Sequence, residues 1–336
     1  MSENRLSLQE AHDLVVAALV ASNTSPENAA SVARALVAAE ASGQSGHGLS
    51  RVPSYASQSR SGKVDGFAKP EMSTTSPGIL RIDAMLGFAY PAFELAIEAL
   101  PERARSQGIA MAVVARSHHF GQGGAHCEAL AEKGLVNFVF GNTTKSIAPW
   151  GSNKPLFGTN PIAFGAPVPG GAPLVIDLAV SKVARGKIMA AEKTGSSIPE
   201  GWALDVDGNP TTNATAAMAG TMVPIGEAKG AALAMMIEVL GACLVGASLG
   251  FETSSLFNGD GPAPDLGQVI IAIDPGLSSL GVYGERIAVL MDAVDSAEGA
   301  RIPGSKRFGL REKAEREGVV IPGPILAEIR NIAAGK

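Results

Sequence analysis

The chain has 336 residues, 46% of them hydrophobic, enough to enclose a sizeable core in two or three lobes. Its 27 Lys+Arg against 32 Asp+Glu give a net charge of -5, with no basic block of the kind that neutralises nucleic-acid phosphates, so nucleic acid is not an expected partner. Two cysteines, Cys127 and Cys243, are too few for a disulfide framework and lack the paired spacing of a zinc site.

A reducing cytoplasm is therefore the expected compartment, and the polar residues 1–9 contain no apolar core of the length a secretory signal requires. Ser7-Leu8-Gln9-Glu10 is a capping box opening a first helix, and Ser25-Pro26-Glu27 opens a second that ends near 41–43. The stretch Gly46-His47-Gly48-Leu49-Ser50-Arg51 follows at the end of this helical hairpin. An imidazole titrates near neutral pH and suits taking the proton of a CH-OH group, while the planar fork of an arginine holds a carboxylate through two parallel hydrogen bonds. On a helix, the spacing of His47 and Arg51 puts both on one face.

Beyond them, 79–82 reads as a strand, 90–104 as a helix and 109–114 as a buried strand. Short apolar runs bounded by turn residues at 135–140, 161–164, 174–177 and 268–273 predict further strands of a mixed sheet, covered by helices near 125–133, 184–193 and 231–245. The expected organisation is α/β: an N-terminal helical region over 1–75 carrying His47 and packed with 305–336, and a three-layer α/β unit over 76–304. Segment 230–251 reaches the length of a membrane span, but Glu238 lies in its middle and glycines punctuate it. It reads as a buried helix packed closely on a neighbour, and no membrane is expected.

The glycine run Gly121-Gln122-Gly123-Gly124-Ala125-His126 ends on a histidine, and no acidic residue follows a second strand at the Rossmann distance. The fingerprint of the common dinucleotide fold is thus missing, although glycine turns at helix starts can hold a pyrophosphate without it. His118, His119, His126 and Cys127 match no tetrahedral metal template, so no metal is expected. Neither a Gly-x-Ser-x-Gly elbow nor a P-loop is present.

Eight motifs in order carry a likeness that spans nearly the whole chain: Gly-His-Gly-Leu-Ser-Arg at 46–51, Ser-His-His-Phe-Gly at 117–121, Ala-Pro-Trp-Gly at 148–151, Gly-Thr-Asn-Pro at 158–161, Asp-Leu-Ala at 177–179, Ala-Arg-Gly-Lys at 184–187, Ile-Pro-Glu-Gly-Trp-Ala at 198–203 and Lys-Gly at 229–230. With them the chain resembles the malate/L-lactate dehydrogenase family of NAD(P)-dependent oxidoreductases. That resemblance implies a non-Rossmann α/β fold, a homodimer, and hydride transfer between NAD or NADP and C2 of a small 2-oxo/2-hydroxy acid. It makes His47 the proton donor and acceptor, Arg51 the carboxylate anchor and Thr159 a substrate contact. It gives the cofactor to His119, Phe120, Gly121, Gln122 and Gly123, to Asp177, Leu178 and Ala179, to Lys229 and Gly230, and to Arg301, Pro303, Gly304, Lys306 and Arg307.

In the family branch that reduces cyclic imino acids such as piperideine-2-carboxylate or pyrroline-2-carboxylate, the residue before the histidine is typically Ser and an Asp stands at the position of Lys187. Gly46 and Lys187 occupy those places here, and neither relays a proton from an imidazole as Ser and Asp do. The likeness therefore points to the 2-hydroxy-acid branch and a dianionic substrate such as 3-sulfolactate or malate. Arg185, Lys187 and Lys145 are candidates to meet its second anionic group, Lys187 also standing with His47 and Arg51 as a candidate catalytic residue. A cyclic imino-acid reductase and a non-enzymatic nucleotide-binding protein are the alternatives.

Overall fold

The computed structural model describes residues 4–336. β1 (Arg5–Leu6) leads into α1 (Leu8–Val20) and α2 (Pro26–Ala41), and two tight turns then lead into α3 (Val52–Arg60). β2 (Glu71–Ser76), β3 (Ile79–Asp83), α4 (Ala89–Gln107), β4 (Ile109–Ser117), α5 (Gly123–Glu132), β5 (Val136–Gly141), β6 (Ile162–Ala166) and β7 (Leu174–Leu178) follow. Next come α6 (Arg185–Thr194), β8 (Ala203–Leu204), β9 (Pro210–Thr211), α7 (Ala214–Ala219), β10 (Thr221–Met222), α8 (Ala228–Glu238) and β11 (Leu266–Ile273). The chain closes with α9 (Pro275–Ser279), α10 (Tyr283–Asp295), α11 (Lys306–Glu317), β12 (Val319–Val320) and α12 (Gly323–Ala333).

Seven strands form one mixed sheet in the order β2-β3-β4-β11-β5-β6-β7. Only β3 and β4 run parallel, joined by the crossover helix α4, and every other pairing is antiparallel. One face packs α4 and α5 through Phe93, Leu100, Phe120 and Leu130, and the other carries the α6–α8 layer through Ile188, Ala217, Ala234 and Ile237. A separate core joins α1, α2 and α3 to the C-terminal segment, Val15, Leu36 and Tyr55 meeting Ala314, Leu326 and Ile329. β1 pairs with β12, so chain start and chain end lie in one layer.

Local chemistry accounts for the helix starts. Ser7 accepts from the Glu10 N–H at 3.1 Å while the Glu10 carboxylate accepts from the Ser7 N–H at 2.7 Å, the reciprocal box that satisfies two otherwise orphaned donors. Ser25 caps α2 ahead of Pro26. The predicted strands and helices of the sheet are present, whereas β2 escapes a periodicity reading because nearly all its side chains are exposed at the sheet edge. The small sheet β10-β8-β9 has two-residue strands, too short to show any period.

The segment expected as one buried helix differs. α8 passes at Val239–Cys243 into a π-helical turn, and Met235, Met236, Val239 and Leu244 stay exposed along one face. The glycine there serves close packing: a Cβ on Gly241 would lie 2.7 Å from the Asn142 backbone nitrogen. No helix among the described residues is long and apolar enough to cross a membrane.

Candidate active site

His47 and Arg51 sit on two consecutive 3-10 turns, Ser45–His47 and Leu49–Arg51, rather than on one helix. The expectation of a shared helical face is therefore corrected. Gly48 lies between the turns at φ -95 and ψ -142, and the Glu40 carboxylate accepts the Leu49 N–H at 2.9 Å, so close that a Cβ on Gly48 would meet it at 2.2 Å. The break aims both side chains without a helix. Arg51 donates from Nε to the Gly46 carbonyl at 2.8 Å, and its guanidinium lies over the Phe257 ring, 4.9 Å from the centroid. One edge and one face of the fork are thus fixed.

The His47 ring is parallel to that of His119, 6° apart in plane and 5.5 Å between centroids. Burial first, and the Arg51 charge second, push His47 down to about 4, which leaves it a neutral base at physiological pH. Behind His119, Tyr55 and Tyr90 place their hydroxyls 3.0 Å apart, with Tyr55 Oη 2.6 Å from His119 Nδ1. His118 is buried and meets Gln58 Oε1 through Nε2 at 2.9 Å. Gln58 also donates to the Leu256 carbonyl, and the buried Lys63 ammonium donates to the carbonyls of Ser255, Asn258 and Asp260. These bonds tie down the loop that carries Phe257.

Thr159 lies beside Thr143, its N–H donating to Thr143 Oγ1 at 3.0 Å. Next to it, buried Glu238 accepts from Asn142, Asn160 and the Gly250 N–H, and Gly250 in turn accepts the Lys145 N–H. The lone acid noticed in the apolar 230–251 stretch is thus a clamp for the loops around Thr159. Arg185 donates to the Lys145 carbonyl at 3.2 Å and to Ser146 Oγ at 2.5 Å, bringing these candidates together. The Lys145 side chain is exposed, as is that of Lys187 on the first turn of α6.

A second group of predicted residues meets at the start of α5. Gly124 donates its N–H to Asp177 Oδ2 at 2.7 Å, and Cβ atoms on Gly123 and Gly124 would come within 3.1 Å of Ala163 and 3.0 Å of Asp177 and Val175. Gly121 takes φ +70, and a side chain there would strike Tyr90 Oη at 2.6 Å. Leu178 and Ala179 continue the strand end beyond Asp177. Gly304, at φ +75, lies 2.5 Å by the same measure from the Val175 carbonyl, so the 301–307 segment reaches the same place.

There Arg307 is buried, with Nε 3.4 Å from Glu128 on α5, and Arg311 forks onto the same carboxylate at 2.8 and 2.9 Å. Arg301, Pro303 and Lys306 are exposed. Gly230 packs its Cα against the Ile225 carbonyl, and Lys229 is exposed at the start of α8. The α5 start fits a dinucleotide through two features, a glycine floor and the buried Gln122 Oε1, an acceptor with no hydrogen-bond partner, while its Gly124 N–H is already taken by the Asp177 carboxylate.

Reasoning from sequence missed Tyr55, Tyr90, Phe257 and Lys63, which carry no motif; the spacing of Tyr55 and Gln58 on α3 behind its N-cap Arg51 is the local signal for one of them. Among the described residues no group of three or more His, Cys, Asp or Glu is arranged to hold a metal ion. His126 instead meets the Phe120 carbonyl at 2.9 Å and packs on Phe93.

The malate/L-lactate dehydrogenase family profile matches residues 6–330. A (2R)-3-sulfolactate dehydrogenase (NADP(+)) of Chromohalobacter salexigens is 46% identical over 98% of this chain and 98% of its own length. A Δ(1)-pyrroline-2-carboxylate/Δ(1)-piperideine-2-carboxylate reductase of Pseudomonas aeruginosa is 41% identical over 97% and 98%. The crystal structure of the Δ1-piperideine-2-carboxylate reductase of Pseudomonas syringae superposes with a TM-score of 0.92 at 37% identity, covering 98% and 99% of the two chains.

Proposed function

The chain belongs to the malate/L-lactate dehydrogenase family, and from that premise we propose that it is an NAD(P)-dependent dehydrogenase acting on C2 of a small, dianionic 2-oxo/2-hydroxy acid. 3-Sulfopyruvate/3-sulfolactate and oxaloacetate/malate are the substrate pairs of that class. The observation that carries the reading is the juxtaposition of a neutral imidazole, His47, with a guanidinium whose free edge suits a carboxylate, Arg51. NADPH is the favoured cofactor by similarity to the sulfolactate dehydrogenase of Chromohalobacter salexigens.

When bound, the nicotinamide supplies or accepts the hydride. The α5 start, the Asp177–Ala179 strand end, Lys229-Gly230 and the exposed Arg301 and Lys306 would hold the dinucleotide. Arg51 orients the substrate by its carboxylate, and His47 exchanges a proton with the C2 oxygen. Burial is the larger cause of the low His47 pKa and the Arg51 charge the smaller; a bound carboxylate opposes the second and so shifts the ring upward from about 4, toward the protonated form that reduction needs. For the alcohol, the neutral ring is already the base.

Arg185, held by Lys145 and Ser146, stands with the exposed Lys145 and Lys187 as the cationic group for the second anion. A monoanion would leave that charge unmatched. Lys187 in this reading is a substrate-binding cation on the first turn of α6. We further infer a homodimer, which the exposed Met235, Met236, Val239 and Leu244 face supports, and a cytoplasmic location.

Steady-state kinetics with 3-sulfopyruvate, oxaloacetate, pyruvate and piperideine-2-carboxylate, each with NADPH and NADH, tests the reading. The dianionic oxo acids should lead in kcat/KM. A lead for piperideine-2-carboxylate would reassign the chain to imine reduction.

A further inference from the structure

Tyr55 is fully buried, with its ring against Phe88, Tyr90, His118 and His119. Its hydroxyl has two neighbours, Tyr90 Oη at 3.0 Å and His119 Nδ1 at 2.6 Å. A hydrogen-bond chain through these atoms runs in one of two directions. If His119 Nδ1 carries the proton and donates to Tyr55, then Tyr55 donates to Tyr90, and the buried Tyr90 hydroxyl hydrogen has no acceptor among the described residues. If Tyr90 donates to Tyr55 and Tyr55 to His119, both phenolic hydrogens are used.

Resting on the dehydrogenase reading, we propose that Tyr55 is a positioning residue: its hydroxyl donates to His119 Nδ1 and so fixes His119 as the Nε2–H tautomer, whose one ring N–H lies on the edge away from the phenols, beside His47. His119 then offers a neutral hydrogen-bond donor to an acceptor on the cofactor or substrate. Two further features agree. Burial pushes Tyr55 up to about 12, so its hydroxyl keeps its proton across the working range, and His119 is held well below the ordinary histidine range by burial and the neighbouring Arg51. Tyr90 also buttresses Gly121, whose left-handed turn leaves no room for a Cβ beside Tyr90 Oη. The phenol pair thus supports the first turn of the cofactor cradle and the ring next to His47 together.

The test is nitrogen NMR of histidine-labelled protein near neutral pH, with the His119 signals assigned by His119→Gln. Wild-type protein should show His119 protonated on Nε2 and hydrogen-bonded at Nδ1. Tyr55→Phe should lose the Nδ1 hydrogen-bond shift, mix the tautomers and lower kcat/KM about tenfold, the scale of one hydrogen bond. Tyr90→Phe should keep the Nε2–H form. A wild-type His119 protonated on Nδ1, or a Tyr55→Phe spectrum unchanged at His119, overturns the proposal. The wild-type spectrum alone separates the two chain directions, whatever the stability of the variants. An Nδ1–H ring in an enzyme that still depends on His47 defeats only the role of Tyr55, while an Nε2–H ring in an enzyme indifferent to His47 defeats only the dehydrogenase reading.

Discussion

The carboxylate end of the candidate site and its cationic rim are held in opposite ways. Arg51 is fixed by the Gly46 carbonyl and the Phe257 ring, and His47 lies along His119, whose own ring is bonded to Tyr55. Lys145, Lys187, Lys229, Arg301 and Lys306 instead extend from the surface. The difference follows from what each end has to do. Proton transfer and carboxylate orientation depend on sub-ångström geometry and a tuned pKa, which burial and fixed partners supply. Attraction of phosphate or sulfonate needs charge within reach, and a flexible ammonium in water supplies that at little cost in desolvation.

Breaking the rigid end should have the largest effect. His47→Ala should lower kcat by about two to four orders of magnitude, the usual span for a general acid–base residue, while cofactor affinity measured by fluorescence titration stays near wild type. Arg51→Lys comes next. An ammonium keeps the charge but loses the fork and its stacking on Phe257, so KM should rise about tenfold or more with a smaller change in kcat. An unaltered KM would move Arg51 from substrate binding to structure.

The buried imidazoles also make the rigid end acid-labile. Burial, chiefly, pushes His47 and His126 down to about 4 and His118 to about 3, and holds His119 well below the ordinary histidine range. Below pH 6.5 the unfolded chain takes up protons that the folded chain refuses, so stability present above that pH is lost as pH falls toward 4. Each such ring contributes up to about 1.4 kcal/mol per pH unit. Denaturant midpoints measured across this range should fall steeply with acid; midpoints that hold steady would mean the rings are hydrated.

The rim should respond least. Replacing Arg301 and Lys306 together by Ala should raise KM for NADPH a few-fold and leave NADH nearly unchanged, in keeping with exposed charges worth roughly 1 kcal/mol or less each. Equal losses with both cofactors would place these side chains away from the 2'-phosphate.

Much of the fold was legible because its signals are local. Capping chemistry marks α1 and α2, and apolar runs mark β3, β4, β5 and β11. β2 was not, since an exposed edge strand has no buried face to pattern it. In the site, His47 and Arg51 announce themselves by motif, yet the break at Gly48 depends on Glu40 approaching from α2, which no spacing rule encodes. Tyr55 with His119, Lys63 with Asp260 and Phe257 with Arg51 make contacts across 64, 197 and 206 positions of chain, and only the folded molecule brings such partners together.

The central claim, that Arg51 seats a carboxylate beside His47 so that the ring can exchange a proton with the C2 oxygen, is tested most directly by titrating His47 itself. Its pKa is followed by NMR in the free protein and in the unreactive complex with NADPH and 3-sulfolactate. The account predicts a value near 4 in the free protein and a higher one in the complex, where the dianion opposes the Arg51 charge while burial still holds the ring below the ordinary histidine range. A His47 pKa unmoved or lowered by the bound acid would contradict it.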